Sequence, residues 1–208
     1  NQPAMPTAEA LIVQKDSPIQ SIKDLKGKRV VLNKGSNVHY LLLKLLEANN
    51  LKLDDIQVVY LPPADARAAF EKGAVDAWVI WDPFFAAAEQ QIDARVIANG
   101  ENLVKNYQFY MADRKFAEQN PEVVKAVINE LNVAADWMTK NQDEAAKILE
   151  KPTGLDASIL KTSIGRMNLG VQPISNQVAT QQQYVADAFY NQKLIPNKIN
   201  IQAAILAK

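Results

Sequence analysis

Between Arg29 and Gln91 the chain alternates short β-rich runs with helical patterns, and no other feature narrows its possible folds so far. Alternation of this kind predicts strands joined by crossover helices, an α/β architecture. Residues 10–13 and 29–32 read as strands, and the crowded leucines of 38–47 as a helix buried on a broad face. Residues 56–61 predict the next strand, ended by Pro62-Pro63. A helix over 64–72 stops at Gly73, a suitable residue to end it. Residues 75–81 predict another strand, followed by Asp82-Pro83 as cap and first residue of a helix over 84–91. Residues 95–98 and 108–111 predict two further strands. From Pro121 onward the pattern is mostly helical. Val124, Val127, Ile128, Leu131, Ala135 and Met138 share one face, and further helices are expected over 143–149, 156–164 and 177–190. The break near Asp113 is the best candidate boundary, and no internal repeat is visible.

Composition excludes several function classes. With 48% hydrophobic and 22% charged residues the chain is too apolar for disorder. Lys plus Arg and Asp plus Glu balance at 23 each, whereas nucleic-acid binders carry a basic excess that neutralises phosphates. The longest apolar runs fall well short of the ~20 residues that span a bilayer, so a soluble protein is expected. Cysteine is absent and His39 is the single histidine, which removes disulfides, thiolate nucleophiles and most zinc sites. No metal site and no cofactor is expected. The chain opens at Asn1 without methionine or signal peptide, which suggests a removed targeting segment or a piece of a longer chain.

Two stretches carry candidate chemistry. Asn33-Lys34-Gly35-Ser36-Asn37-Val38-His39 lies between a predicted strand and a predicted helix. Gly35 lets the backbone turn and Ser36 is a natural cap. The first amides of the helix then point outward with the positive end of its dipole behind them, a place for a small oxyanion. The Ser36 hydroxyl and Asn37 amide are expected as further donors. The plain alternative is a turn whose cap serves only its own helix. In the second stretch, Trp81 and Asp82 end a predicted strand, where open α/β sheets place ligands. Trp81 is suited to wall an apolar tail, although it also suits a core. Asp82 reads equally as a helix cap, and its charge would repel an anion. Gly-x-Ser-x-Gly, Walker and Gly-x-Gly-x-x-Gly motifs are all absent. His39 has no evident nucleophile to activate, so no enzyme is expected. Arg166 is expected in a surface ion pair.

The combination Lys34-Gly35-Ser36-Asn37-Val38-His39, then Tyr60-Leu61-Pro62-Pro63-Ala64-Asp65-Ala66-Arg67-Ala68-Ala69-Phe70, then Gly73-Ala74-Val75-Asp76-Ala77-Trp78 through Trp81-Asp82-Pro83-Phe84, resembles the aliphatic sulfonate-binding proteins. These are solute receptors of ATP-binding-cassette importers, related to the taurine and nitrate receptors. The likeness continues through Asn106-Tyr107-Gln108-Phe109-Tyr110 and the helical tail. It implies a type II periplasmic binding protein fold whose two lobes close on the ligand like a hinge. The implied ligand-binding residues are Gly35, Ser36, Asn37, His39, Trp81 and Asp82. The implied partners are a small anionic alkanesulfonate and the membrane permease of the importer, and the implied location is periplasmic or lipid-anchored outside the cytoplasm.

Members of that family carry about ninety residues before the equivalent of Pro3, so the first lobe is expected to be incomplete here. On this basis residues 1–24 are assigned to the hinge and a first-lobe strand, 25–112 to a second α/β lobe, and 113–208 to the helical part of the first lobe. Apolar helix faces after Pro121 would then be exposed or buried against another copy, with abnormal self-association as a consequence. The alternatives are a receptor for taurine, nitrate or another oxyanion, an effector-sensing domain of a transcription regulator, or an enzyme that handles a pyrimidine precursor.

Overall fold

The computed structural model describes residues 1–206, and one mixed five-stranded sheet organises its first half. The elements in chain order are β1 (Glu9–Val13), β2 (Arg29–Leu32), α1 (Asn37–Ala48), β3 (Gln57–Tyr60), α2 (Pro63–Glu71), β4 (Ala77–Trp81), α3 (Phe84–Ile92) and β5 (Arg95–Asn99). The tail adds α4 (Arg114–Gln119), α5 (Pro121–Lys140), α6 (Gln142–Thr153), α7 (Ala157–Arg166) and α8 (Asn176–Asn191). The strand order is β3-β2-β4-β1-β5. β2 runs parallel to β3 and β4, while β1 is antiparallel to β4 and β5.

The apolar runs are continuous because both faces of the sheet are covered. Side chains alternate faces along a strand, and two separate cores result. Leu11, Val13, Val30, Leu32 and Val79 pack with Val38, Leu41, Leu42, Leu45 and Leu46 of α1. Ala10, Ile12, Val31, Trp78 and Ile80 pack on the other face with Phe70 of α2 and Phe85 of α3. Each fully buried Leu, Ile or Phe here contributes about 1.5–3 kcal/mol by leaving water.

Two expectations are corrected. The strand expected over 10–13 was assigned, within residues 1–24, to the hinge and first lobe, yet β1 lies inside the sheet between β4 and β5. Its five residues are all buried, and only a place between two strands and two helix layers buries such a run on every side. Residues 108–111 form no strand. They meet the amino-terminal segment only at isolated points, such as the Gln2 amide donating to the Gln108 carbonyl at 2.9 Å. Without a neighbouring strand they lack the ladder that would define one, and Tyr110 and Met111 are exposed.

The tail is joined to this body by α7, by α8 and by the amino-terminal segment, where Asn1 and Gln172 exchange two hydrogen bonds at 2.8 Å. α7 packs on α3 through Ile159 against Ala86 and Ala87. α8 crosses α1, with Phe189 against His39. α5 is different: none of its residues is buried.

Candidate functional site

The turn from β2 into α1 opens at the carboxyl end of a parallel strand, the expected ligand side of such a sheet. Gly35 takes φ +74° there, and a Cβ at this position would meet nothing within 4 Å, so the turn needs its backbone freedom rather than its small size. Ser36 holds the cap position with extended backbone. Its hydroxyl donates to the Asn33 carbonyl at 2.7 Å, closing the turn on itself. The amides of Asn37 and Val38 have no acceptor among the described residues, as the start of a helix requires.

Asn37 is the junction of the site. Its side-chain amide donates to Glu9 Oε2 at 2.6 Å and to Asn106 Oδ1 at 3.1 Å. Asn106 in turn donates to the Met5 carbonyl at 3.1 Å. Three chain segments are thereby tied around a cavity of about 250 Å³, lined by Glu9, Ser36, Asn37, Lys105, Tyr107 and Gln181 among others. The cavity pairs amide donors with aromatic surface, a combination suited to a small solute with one polar end. A larger open groove of about 1050 Å³ runs between α1 and α8. Its lining pairs charges internally, Lys44 with Glu47, and it lies away from the β2–α1 turn, whose Gly35, Ser36 and Asn37 border the smaller cavity.

The six residues expected at the site divide into two groups. Gly35, Ser36 and Asn37 border the cavity. His39, Trp81 and Asp82 do not. His39 is fully buried, between the rings of Tyr60 at 5.4 Å and Phe189 at 5.7 Å. Its Nδ1 accepts the Gly35 N–H at 3.1 Å, which assigns the remaining proton to Nε2. Burial pushes its pKa down to about 4, with Lys34 adding in the same direction. His39 is therefore a neutral anchor for the turn and uses the Gly35 amide that a ligand would otherwise meet. Trp81 is half-buried, edge-on to Phe84 at 6.3 Å, and stands one strand away from the cavity as the cross-strand neighbour of Glu9.

Asp82 is committed elsewhere. It accepts the Ala86 amide at 3.0 Å and faces Arg166 Nη1 at 3.3 Å. Arg166 also pairs with Glu89 and lies over the Phe85 ring at 4.1 Å. Burial lifts the Asp82 pKa to about 6, outweighing the opposite pull of Arg166. Arg166 is in an ion pair, as expected, but one that is mostly shielded and bolts α7 to α3. Sequence reasoning missed Glu9. A single acidic residue before an apolar run carries no local signal, and only the pairing of β1 with β4 brings it to the site.

The site and fold together describe a βα-lobe with an amide-rich turn at its ligand edge. Residues 5–145 match the family described as NMT1/THI5 like, and the chain belongs to that family. It is 41% identical over 206 residues to the putative aliphatic sulfonates-binding protein of Escherichia coli, covering 98% of this chain and 64% of the relative. The crystal structure of the periplasmic aliphatic sulphonate binding protein SsuA from Escherichia coli superposes with TM-score 0.94 at 39% identity, over 99% of this chain and 67% of that one. The alkanesulfonate-binding protein SsuA from Xanthomonas axonopodis pv. citri, solved bound to MOPS, gives TM-score 0.91 at 37% identity, over 99% of this chain and 71% of that one. The chain thus spans less than two thirds of the length of the curated Escherichia coli relative.

Proposed function

We propose that the chain belongs to the solute-binding component of an ABC importer and captures an aliphatic sulfonate outside the cytoplasm for delivery to a membrane permease. The observation that carries this reading is the β2–α1 turn. Its free Asn37 and Val38 amides sit at a helix start beside a cavity of about 250 Å³. A sulfonate is a permanent anion, so fixed amide donors and a helix dipole suit it without proton transfer. The aromatic lining from Tyr107 and Phe109 offers a surface for an alkyl tail. The kinship with sulfonate-binding proteins supports the same ligand class. Among the described residues no helix is long and apolar enough to cross a membrane, and no group of three or more His, Cys, Asp or Glu side chains could hold a metal. No catalytic role is proposed.

The test is a calorimetric titration with ethanesulfonate, a longer alkanesulfonate, taurine, nitrate and sulfate. Saturable binding of the alkanesulfonates, weakened about tenfold or ~1.4 kcal/mol by Asn37→Ala, is the expected result. Binding of nitrate or sulfate in preference would transfer the site to another oxyanion. Binding that ignores Asn37→Ala would remove it from this turn.

A further inference from the structure

Glu9 is a carboxyl group without a counter-charge. Its residue is 1% exposed, and it forms no ion pair with any described cation. Asn37 supplies its only side-chain hydrogen bond among the described residues, to Oε2, and leaves Oε1 without a protein partner. An ionised carboxylate in that position would be buried and uncompensated, an arrangement that proteins avoid by neutralising the group.

Glu9 Oε1 lies against the end of β5: a Cβ on Gly100 would come within 3.3 Å of it, while Val104 Cγ2 at 2.6 Å and the Pro6 carbonyl at 2.7 Å are the contacts that require glycine there. Glu9 also lines the same cavity as Ser36 and Asn37, and among the described residues it is the only acid that does.

We propose that Glu9 contacts the bound anion as a neutral carboxylic acid, donating a hydrogen bond from the cavity wall and making capture depend on pH. The proposal rests on the anion-receptor reading above and names one of its donors. A neutral acid carries a proton to offer, whereas the carboxylate is acceptor-only and would repel a sulfonate. Burial pushes Glu9 up to about 8, against the smaller opposite effect of Asn37.

Asn37 of α1 contacts Glu9 and Trp81 of β4 is its cross-strand neighbour, while Tyr40 of α1, Lys105 and Tyr107 of the segment after β5 and Gln181 of α8 line the cavity with it. Lys105 is the only one of them that is positively charged at neutral pH. It is exposed. A loss of affinity between pH 7 and 9 that Lys105→Gln retains and Glu9→Gln abolishes would belong to Glu9.

The experiment measures ethanesulfonate affinity by calorimetry at pH 6, 7.5 and 9 for the wild type, Glu9→Gln and Lys105→Gln. A parallel titration follows the Glu9 carboxyl carbon by 13C NMR in the free protein. The expected wild-type affinity is constant at the two lower values and falls about tenfold by pH 9. Glu9→Gln keeps a donor but cannot ionise, so its affinity should stay flat across the range. Lys105→Gln should retain the wild-type slope, and the carboxyl resonance should titrate near pH 8. A wild-type affinity that ignores pH, or a slope that survives in Glu9→Gln, would overturn the proposal while leaving the receptor reading in place. A carboxyl resonance already ionised at pH 6 would overturn it as well. Absence of ethanesulfonate binding at every pH would overturn the receptor reading itself, and the donor role with it.

Discussion

The central strand β1 and the long helix α5 handle apolar residues in opposite ways. Leu11, Ile12 and Val13 are completely enclosed, between strands on either side and helices above and below. α5 carries Val124, Val127, Ile128, Leu131 and Met138 on one face at helical spacing, yet buries none of its residues. Val127 remains 53% exposed. Apolar periodicity therefore reports which face of an element wants cover, and topology decides whether the chain provides it. The sheet lobe completes its own core. The tail holds on through α7, α8 and the amino-terminal segment, while α5 half-buries Val124, Leu131, Ala135 and Met138 and leaves Val127 and Ile128 exposed.

This contrast can be broken by mutation, and the largest effect is expected in the lobe. Leu42→Ala should cost about 3–4 kcal/mol in denaturant unfolding, because a fully enclosed side chain leaves a cavity. Val127→Ala should change stability by no more than about 0.5 kcal/mol. Equal losses would mean that α5 is as well covered as the sheet.

Arg166→Ala sharpens the comparison at the joint between lobe and tail. It leaves Asp82, whose side chain is 1% exposed, without its cation, and should cost about 2–3 kcal/mol at pH 7. The loss should shrink at pH 5, where Asp82 with a pKa of about 6 takes a proton instead. A loss independent of pH would show that α7 is held by packing alone.

Glu9 gives a smaller effect inside the lobe. Its folded pKa of about 8 lies above the ordinary 4.5, so the native state binds the extra proton and stability falls as pH rises between those values. Between pH 6.5 and 8 this amounts to about 2 kcal/mol. Asp82 has finished most of its titration below that window, and the contribution of His39, whose unfolded value of 6.5 lies at its edge, is common to both proteins. The amino terminus, lowered by burial, is common to both proteins. Glu9→Gln should therefore flatten the difference in melting temperature between pH 6.5 and 8, and an unchanged slope would assign it elsewhere.

Much of the lobe was legible because its signals are local. β2 falls on the four residues read as a strand, α1 extends one residue beyond the expected helix at each end, and α3 one residue at its carboxyl end. Gly73, read as a helix stop, has φ +66°. The turn at Gly35–Asn37 was legible for the same reason: glycine and a cap residue between two periodic segments leave few alternatives. The site's second half was not, because it depends on contacts distant in sequence. Glu9 reaches Asn37 only through the placing of β1 beside β4. His39 looked like a ligand donor until Phe189 of α8 closed over it. Asp82 was expected as the cap of α3, yet Pro83 holds that position and Asp82, one residue earlier, accepts the Ala86 amide, while its partner Arg166 comes from a helix in the tail.

The most direct test of the central claim maps ethanesulfonate onto the backbone by amide NMR. The account predicts saturable shifts at the amides of Asn37 and Val38 and at the side-chain amide of Asn37, with the α5 amides unmoved. Shifts confined to the groove between α1 and α8, or to the Asp82–Arg166 pair, would contradict it.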